Sequence, residues 1–422
     1  MNTVLLNTIS LDDGRIIKKG GSGGGGNTPG GGGTTPDMPV IGDGKTYLYI
    51  KIAEKGRMNV PLYFSQTVAN GVTIDWGDGS TPQTLSGTGN KNTTHTYADK
   101  GEYVISLNPA DGCTMGLGNY ISYNSYYAVM GSTQNDNTIY RNMLKTVEIG
   151  NNVTLIDEYA FSKCYSLLSV VISDSVTKIN DNAFAYCYNL THLKIGNSVE
   201  KIGSHAFENC YCLLNIDIPN SVKSIGSKAF INCKMLSSIA IPEGVTSIGD
   251  SVCSGCTSLT SIVIPDSVKS LGNNAFENCA SLNSVVIGDG VTSLNNGTFY
   301  LCYTLSDVKI SNNVTSLGSV FEGCWSLEKI IIPNSVTSLN GTIKSCYSLS
   351  TIKIPDSVKS LGSAEFQYCY GMAFYDFTQC TSVPTLGGSS YAFAGIKSDC
   401  KIVVPDALYD EWKAATDRKS VV

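Results

Sequence analysis

A fixed 23-residue period runs through more than half of this chain and leaves few folds open to it. The unit reads Ser-Val-x-x-Ile-Gly-x-x-Ala-Phe-x-x-Cys-x-x-Leu-x-x-Ile-x-Ile-Pro, as in residues 221–242. Its cysteine column is Cys164, Cys187, Cys210, Cys233, Cys256, Cys279, Cys302, Cys324, Cys346 and Cys369, with steps of 23 residues six times, then 22, 22 and 23. A partial unit precedes it at Leu144, Val147 and Ile149. Repeats at such a period are single supersecondary units that bury their apolar face only by stacking on neighbours. Leu-x-x-Ile-x-Ile places apolar side chains on one side of a short strand, which Pro, Gly or Ser closes. Val-x-x-Ile-Gly supplies a second extended segment. Ala-Phe-x-x-Cys is too short for a stable helix and predicts one helical or 3₁₀ turn. The result is a mainly β solenoid of about 11 parallel coils over residues 144–371, roughly 50 Å long at about 4.8 Å per coil.

These columns resemble the BspA-type leucine-rich repeats of bacterial surface proteins and some phage proteins. The resemblance implies adhesion or recognition rather than catalysis. Departures from the pattern include Cys253 and Ile343, which replace the Phe column, and Glu365, which replaces Ala. Each is expected to loosen packing locally.

The column cysteines face the core with parallel Cβ vectors, a poor geometry for disulfides. They read as a ladder of reduced thiols acting as small hydrophobes. Cys253-x-x-Cys256 is the one CxxC pair, and it lacks the second pair that a zinc site requires. Off the column stand Cys113, Cys212, Cys380 and Cys400, of which the last two have the option of pairing across the C-terminal segment. No cofactor and no metal is called for.

Before the array, residues 1–19 read as a short docking peptide or a frayed end. Residues 20–39 are a glycine-rich tether; the GxSxG and GxGxxG matches inside it follow from composition. Residues 40–112 alternate with period two and break at turn signals, as a small β-sandwich does. Asp75-Trp76-Gly77-Asp78-Gly79, His95-Thr96-Tyr97 and Gly101-x-Tyr103-x-Ile105 resemble a PKD-type immunoglobulin-like domain. That resemblance implies a spacer. Asp75 and Asp78 read as turn-stabilising carboxylates and His95 as a hydrogen-bonded strand residue. Residues 113–143, with Tyr120, Tyr123, Tyr126 and Tyr127, and residues 372–422 are expected to cap the two ends of the solenoid. In the latter a strand at Ile402–Val404 precedes a helix over residues 407–415, N-capped by Asp406, with Leu408 and Trp412 on one face.

Two surface stripes follow from the stacking. The position after each column cysteine holds Tyr165, Tyr188, Tyr211, Lys234, Thr257, Ala280, Tyr303, Trp325, Tyr347 and Tyr370. The outward strand position holds Val171, Lys194, Asp217, Ala240, Val263, Val286, Lys309, Ile331 and Lys353. The aromatic stripe is either a stiffening ladder or a binding face, since Tyr and Trp favour interfaces and a flat aromatic row suits sugar rings. As a face, Tyr188, Tyr211, Tyr303, Trp325 and Tyr347 flank a shallow floor that includes Val263 and Val286.

Composition narrows the function. Lys+Arg 29 against Asp+Glu 35 gives a net charge of −6, which argues against nucleic acid. No apolar run approaches the roughly 20 residues of a membrane helix. The 3 histidines leave little acid–base chemistry, and no recurrent carboxylate pair marks a glycosidase, which needs two about 5–10 Å apart. A polysaccharide-degrading enzyme is therefore the remote alternative. The order of anchor, tether, spacer and solenoid, without a visible secretion signal, resembles a phage tail or capsid appendage that attaches to a host. Its implied partners are a host-surface glycan or protein and, through residues 1–19, a virion assembly protein. A bacterial cell-surface adhesin is the alternative.

Overall fold

In a computed structural model of the full chain, the described residues are 10–12, 15–17, 43–53, 59–122, 125–132, 138–387 and 392–417. The chain divides into Met1–Asp37 and Met38–Val422. Of the first unit, Ser10–Asp12 pairs antiparallel with Arg15–Ile17. The glycine-rich 20–39 segment and most of the 1–19 anchor lie outside the described residues, as do the side chains of Tyr120, Tyr123, Tyr126 and Tyr127.

The second unit is built around the stacked coils. Most carry two short strands, and these pair in parallel with strands of neighbouring coils at the repeat offset, as in Ile216↔Ile239 and Ile225↔Ile248; in the Cys324 coil the first strand is reduced to a single bridge, Ile331↔Lys353. The column side chains meet inside: Val222, Ala229, Phe230, Cys233 and Leu236 are fully buried. The Ile-Gly glycine lets successive coils close up, because a Cβ on Gly226 would lie 2.4 Å from the Ser204 amide.

The Ala-Phe-x-x-Cys segment is a run of separate turns closed by i→i−3 hydrogen bonds, not a continuous helical or 3₁₀ turn. Its residues alternate between two jobs. Ala183, Ala185 and Cys187 donate to Asn180, Asn182 and Phe184 within their own coil. Asn182, Phe184 and Tyr186 donate instead to Ser204, Ala206 and Glu208 of the next coil, at 2.7–2.9 Å. A helix would spend every N–H inside the coil and leave the neighbours unjoined. The alternation needs left-handed backbone at two points per coil, at Asn182 and Tyr186 (φ 58° and 65°), His205 and Asn209, Lys228 and Asn232. Asn, among the residues that tolerate this conformation best, recurs there.

Phenylalanines form a stacked ladder through Phe161, Phe184, Phe207 and Phe230, with centroids 5.0–5.5 Å apart. It resumes at Phe276, Phe299 and Phe321. Cys253 and Ile343, which interrupt it, are fully buried. The column thiols do more than fill space. Cys187 Sγ donates to the Phe161 carbonyl at 3.2 Å, and the same contact recurs from Cys210 to Cys369. Burial pushes the Cys164 and Cys302 thiols up to about 12. All fifteen cysteines are free thiols, Cys380 and Cys400 included, and only Cys212 and Cys400 are partly open to solvent. A thiol reagent should therefore titrate two sulfhydryls quickly in the native protein and all fifteen after denaturation. Fewer than fifteen in denaturant would reveal a disulfide.

The strands before the array are not hung on it by a joint. Thr46–Ile52 pairs antiparallel with Gly101–Pro109 on one side and with the first array strand, Leu144–Ile149, on the other. Leu144–Ile149 then pairs in parallel with Ser169–Ile172, so one seven-stranded sheet runs across the junction. The second sheet does the same: Met115–Leu117 is antiparallel to Asn59–Gln66 and parallel to Val153–Ile156. Phe64, Trp76, Leu117, Leu144 and Val170 belong to one buried core. The sequence boundaries at 112 and 143 thus fall inside continuous sheets. In the turn after Asp75, Asp75 Oδ1 accepts from Gly77 N at 2.9 Å and Asp78 Oδ1 from Ser80 N at 3.0 Å. Asp78 Oδ2 meets His95 Nε2 at 2.7 Å, and the imidazole stacks on Trp76 at 4.8 Å. Burial alone would raise the Asp78 carboxyl, but the hydrogen bonds from Ser80 and His95 overcome it and hold the group at about 2.

At the other end, the strand is Lys401–Val403, one residue earlier than the sequence reading. The terminal helix also differs: a 3₁₀ turn over Asp406–Leu408 precedes the α-helix Tyr409–Asp417, and Pro405 occupies the N-cap with no side-chain cap bond. Proline fixes the φ that admits the turn, so Asp406 sits inside it instead of capping. Trp412 is buried against Phe377 at 4.5 Å.

Candidate binding face

The stripe after the column cysteine is two ladders with a gap between them. Tyr165, Tyr188 and Tyr211 stack face to face with centroids 4.9 Å apart. Lys234 ends this ladder with its Nζ 4.9 Å from the Tyr211 ring centroid, a cation on the ring's electron-rich face. The second ladder runs Tyr303, Trp325, Tyr347 and Tyr370 at 4.3, 5.6 and 5.5 Å. Four coils separate Tyr211 from Tyr303, about 19 Å at the strand spacing.

This geometry corrects one expectation. A coil repeat near 4.8 Å equals the stacking distance of aromatic rings, so each ring covers the face of its neighbour. Inside the ladders, edges and hydroxyls reach solvent, and the row is not a flat platform for sugar rings. Trp325, Tyr347 and Tyr370 are nonetheless exposed side chains, while Tyr188, Tyr211 and Tyr303 are half-buried.

Val263 and Val286 lie on neighbouring strands, paired in register, and both are exposed, Val263 by 58%. They sit on the strand, six residues beyond the ring position of each coil. The two groups therefore form parallel stripes, not a common pocket. The outward strand column is exposed without a break from Lys194 through Asp217, Ala240, Val263, Val286, Lys309 and Ile331 to Lys353. Ile331 is 82% exposed. Around the central valines the other outward strand residues are Ser238, Ser261 and Ser284, so the middle of the face is small and uncharged. Lysines and aspartates flank it.

Among the described residues no group of three or more His, Cys, Asp or Glu side chains is placed to hold a metal ion. No helix among them is long and apolar enough to cross a membrane. Sequence reading missed the capping role of Lys234. It also missed the coil after Cys369, because its column residue, Ile396, lies 27 residues on.

Comparison with known proteins agrees with this architecture. A family model described as BspA type leucine rich repeat region matches residues 133–259 and 246–373, in 6 copies. Among solved structures, a leucine-rich repeat protein from Bacteroides ovatus is 27% identical, with 69% of this chain and 77% of that one covered and a TM-score of 0.53. The leucine rich repeat protein of T. pallidum is 30% identical over 43% of this chain and 77% of that one, with a TM-score of 0.33. A leucine rich cell surface protein from Faecalibacterium prausnitzii is 28% identical over 57% and 80%, with a TM-score of 0.34. No curated protein sequence matches. With the family's repeats matched over residues 133–373 and stacked coils present from Leu144 onward within that span, the chain belongs to the BspA-type leucine-rich repeat family.

Proposed function

We propose that this is a non-enzymatic recognition protein of a bacterial cell surface, an adhesin-like molecule that grips a glycan or protein through its exposed strand face. The observation that carries this reading is the outward column itself, solvent-exposed at eight successive coils from Lys194 to Lys353. A solenoid that served only as a rod has no need to leave Val263 and Ile331 open to water, and exposed apolar side chains rimmed by polar groups mark an interaction site. The aromatic ladders stiffen the array and add polar edges beside that face. The N-terminal strands, with their PKD-like motif, act as its base. Membership of a leucine-rich repeat surface-protein family supports the same role.

The test is capture of the purified full chain on wells coated with mucin or fibronectin. Tyr303→Ala combined with Trp325→Ala should lower capture at least fivefold, and Val263→Glu with Val286→Glu at least tenfold, with unchanged circular dichroism. Variants that bind like the parent chain would remove the reading. A second reading, attachment of a phage particle to its host, draws on the glycine-rich 20–39 segment. It requires the chain to be found by mass spectrometry in purified virions.

A further inference from the structure

The array continues past its last cysteine. Ala392 and Phe393 fill the Ala-Phe positions of one more coil, and Phe393 stacks on Phe366 at 5.1 Å. Gly395 carries the left-handed backbone of the residue before the column (φ 74°). Lys401–Val403 pairs in parallel with Phe374–Asp376 in the usual register, Phe374↔Lys401 and Asp376↔Val403. This coil breaks two column rules. Asp399 stands where nine coils have leucine and the tenth has Met372, and Lys397 stands in the aromatic stripe.

Beside Asp399 lies an open recess of about 460 Å³, lined among others by Met372, Phe374, Lys397, Asp399, Lys401 and Val403. That space admits a small ligand. A polar residue in a terminal coil serves to close an array, but closing should cover apolar groups, and here Phe374 and Val403 are each 39% exposed. Lys397, Asp399 and Lys401 are exposed too, and none closes an ion pair within 4.0 Å among the described residues. Two cations and one carboxylate gather around an open aromatic ring, in a chain whose net charge is −6.

We propose that the recess binds a carboxylated pyranose sugar, a uronate or a sialate, at the C-terminal margin of the strand face. The sugar's C–H face lies on Phe374 and Val403. Its carboxylate takes charge-assisted hydrogen bonds from Lys397 and Lys401. Asp399 accepts from ring hydroxyls and disfavours a second anionic group. The proposal rests on the surface-recognition reading and names its partner class.

The experiment titrates the full chain with a hyaluronan tetrasaccharide, with 3′-sialyllactose and with lactose as the neutral control. Saturable binding of at least one acidic probe is expected, tenfold or more tighter than lactose. Lys397→Ala with Lys401→Ala should lower that affinity tenfold or more, and Phe374→Ser should do the same with both lysines in place. The melting temperature should hold, because these side chains are exposed. The preferred acid distinguishes a uronate from a sialate source. No saturable binding of either acid, equal binding of lactose, or an unaffected lysine double variant would overturn the proposal. Coated-well capture separates the two claims: capture without acid-saccharide binding refutes the recess and leaves surface recognition standing.

Discussion

A chain that begins at residue 113 should fail to fold its first coils. Leu144–Ile149 would lose its antiparallel partner Thr46–Ile52, and Met115–Leu117 would lose Asn59–Gln66. Leu117, Leu144 and Val147, fully buried in the whole chain, would face water beside two open sheet edges. Each such side chain is worth about 1.5–3 kcal/mol of burial, and open edges invite aggregation. Because an array is stabilised coil by coil, the damage should be greatest at the cut. Residues 144–200 should exchange amide hydrogens at least a hundredfold faster than in the full chain, and the melting temperature should fall by about 10 °C or more. A fragment that melts like the parent would mean that the N-terminal strands are the detachable spacer their motif suggested.

Alkaline pH should weaken the array at Glu365. This side chain fills an alanine position, is fully buried and accepts from Thr342 N at 3.0 Å through Oε2. Burial drives its carboxyl up to about 8 against the pull of the Thr342, Gly341 and Ile343 amides. The folded state therefore keeps a proton that the unfolded chain releases near 4.5. The stability this group contributes is complete below about pH 4.5 and is lost as pH climbs through 8, at roughly 1.4 kcal/mol per unit. Asp157, raised to about 6 by burial and by Glu158, acts with the same sign at lower pH. Asp78 and Asp356, held at about 2, act with the opposite sign in acid. From pH 6 to 8 Glu365 therefore supplies the larger part of the change, and Asp157 lies outside residues 341–369. Across that interval the parent chain should lose on the order of 2–3 kcal/mol of local stability in residues 341–369. Glu365→Gln should lose almost none, as read by hydrogen exchange at the two pH values. Equal losses in both proteins would contradict the assignment.

Much of this architecture is legible in the sequence because a fixed period does two things at once. It identifies the buried columns, and it sets the register of every strand pair: Ile216 pairs with Ile239 because they are 23 residues apart. What does not repeat is harder to read. Nothing local says that Thr46–Ile52 will pair with Leu144–Ile149 across about a hundred residues. A recognisable motif in that region favours an independent domain instead. The Ala-Phe turn misleads because its length suits a helix, whereas neighbouring coils compete for its N–H groups; the signal was the asparagine at Asn182, Asn209 and Asn232. The aromatic stripe is visible as a column, but whether its rings offer faces or edges depends on coil spacing matching ring stacking. The coil of Ile396 is concealed by a four-residue insertion relative to the period, and the recess beside Phe374 with it.

A strand face that is the working surface, as proposed, should be blocked by a bulky label placed on it and not by one placed elsewhere. In a Cys212→Ser, Cys400→Ser background, a single new cysteine at Val263 or at Lys178 can carry a bulky maleimide-polyethylene glycol. Val263 lies on the outward face, and Lys178 is exposed on a strand of the second sheet. The label at 263 should abolish capture on the coated wells, and the label at 178 should leave it intact. Capture that survives the label at 263, or is lost only with the label at 178, would contradict the account.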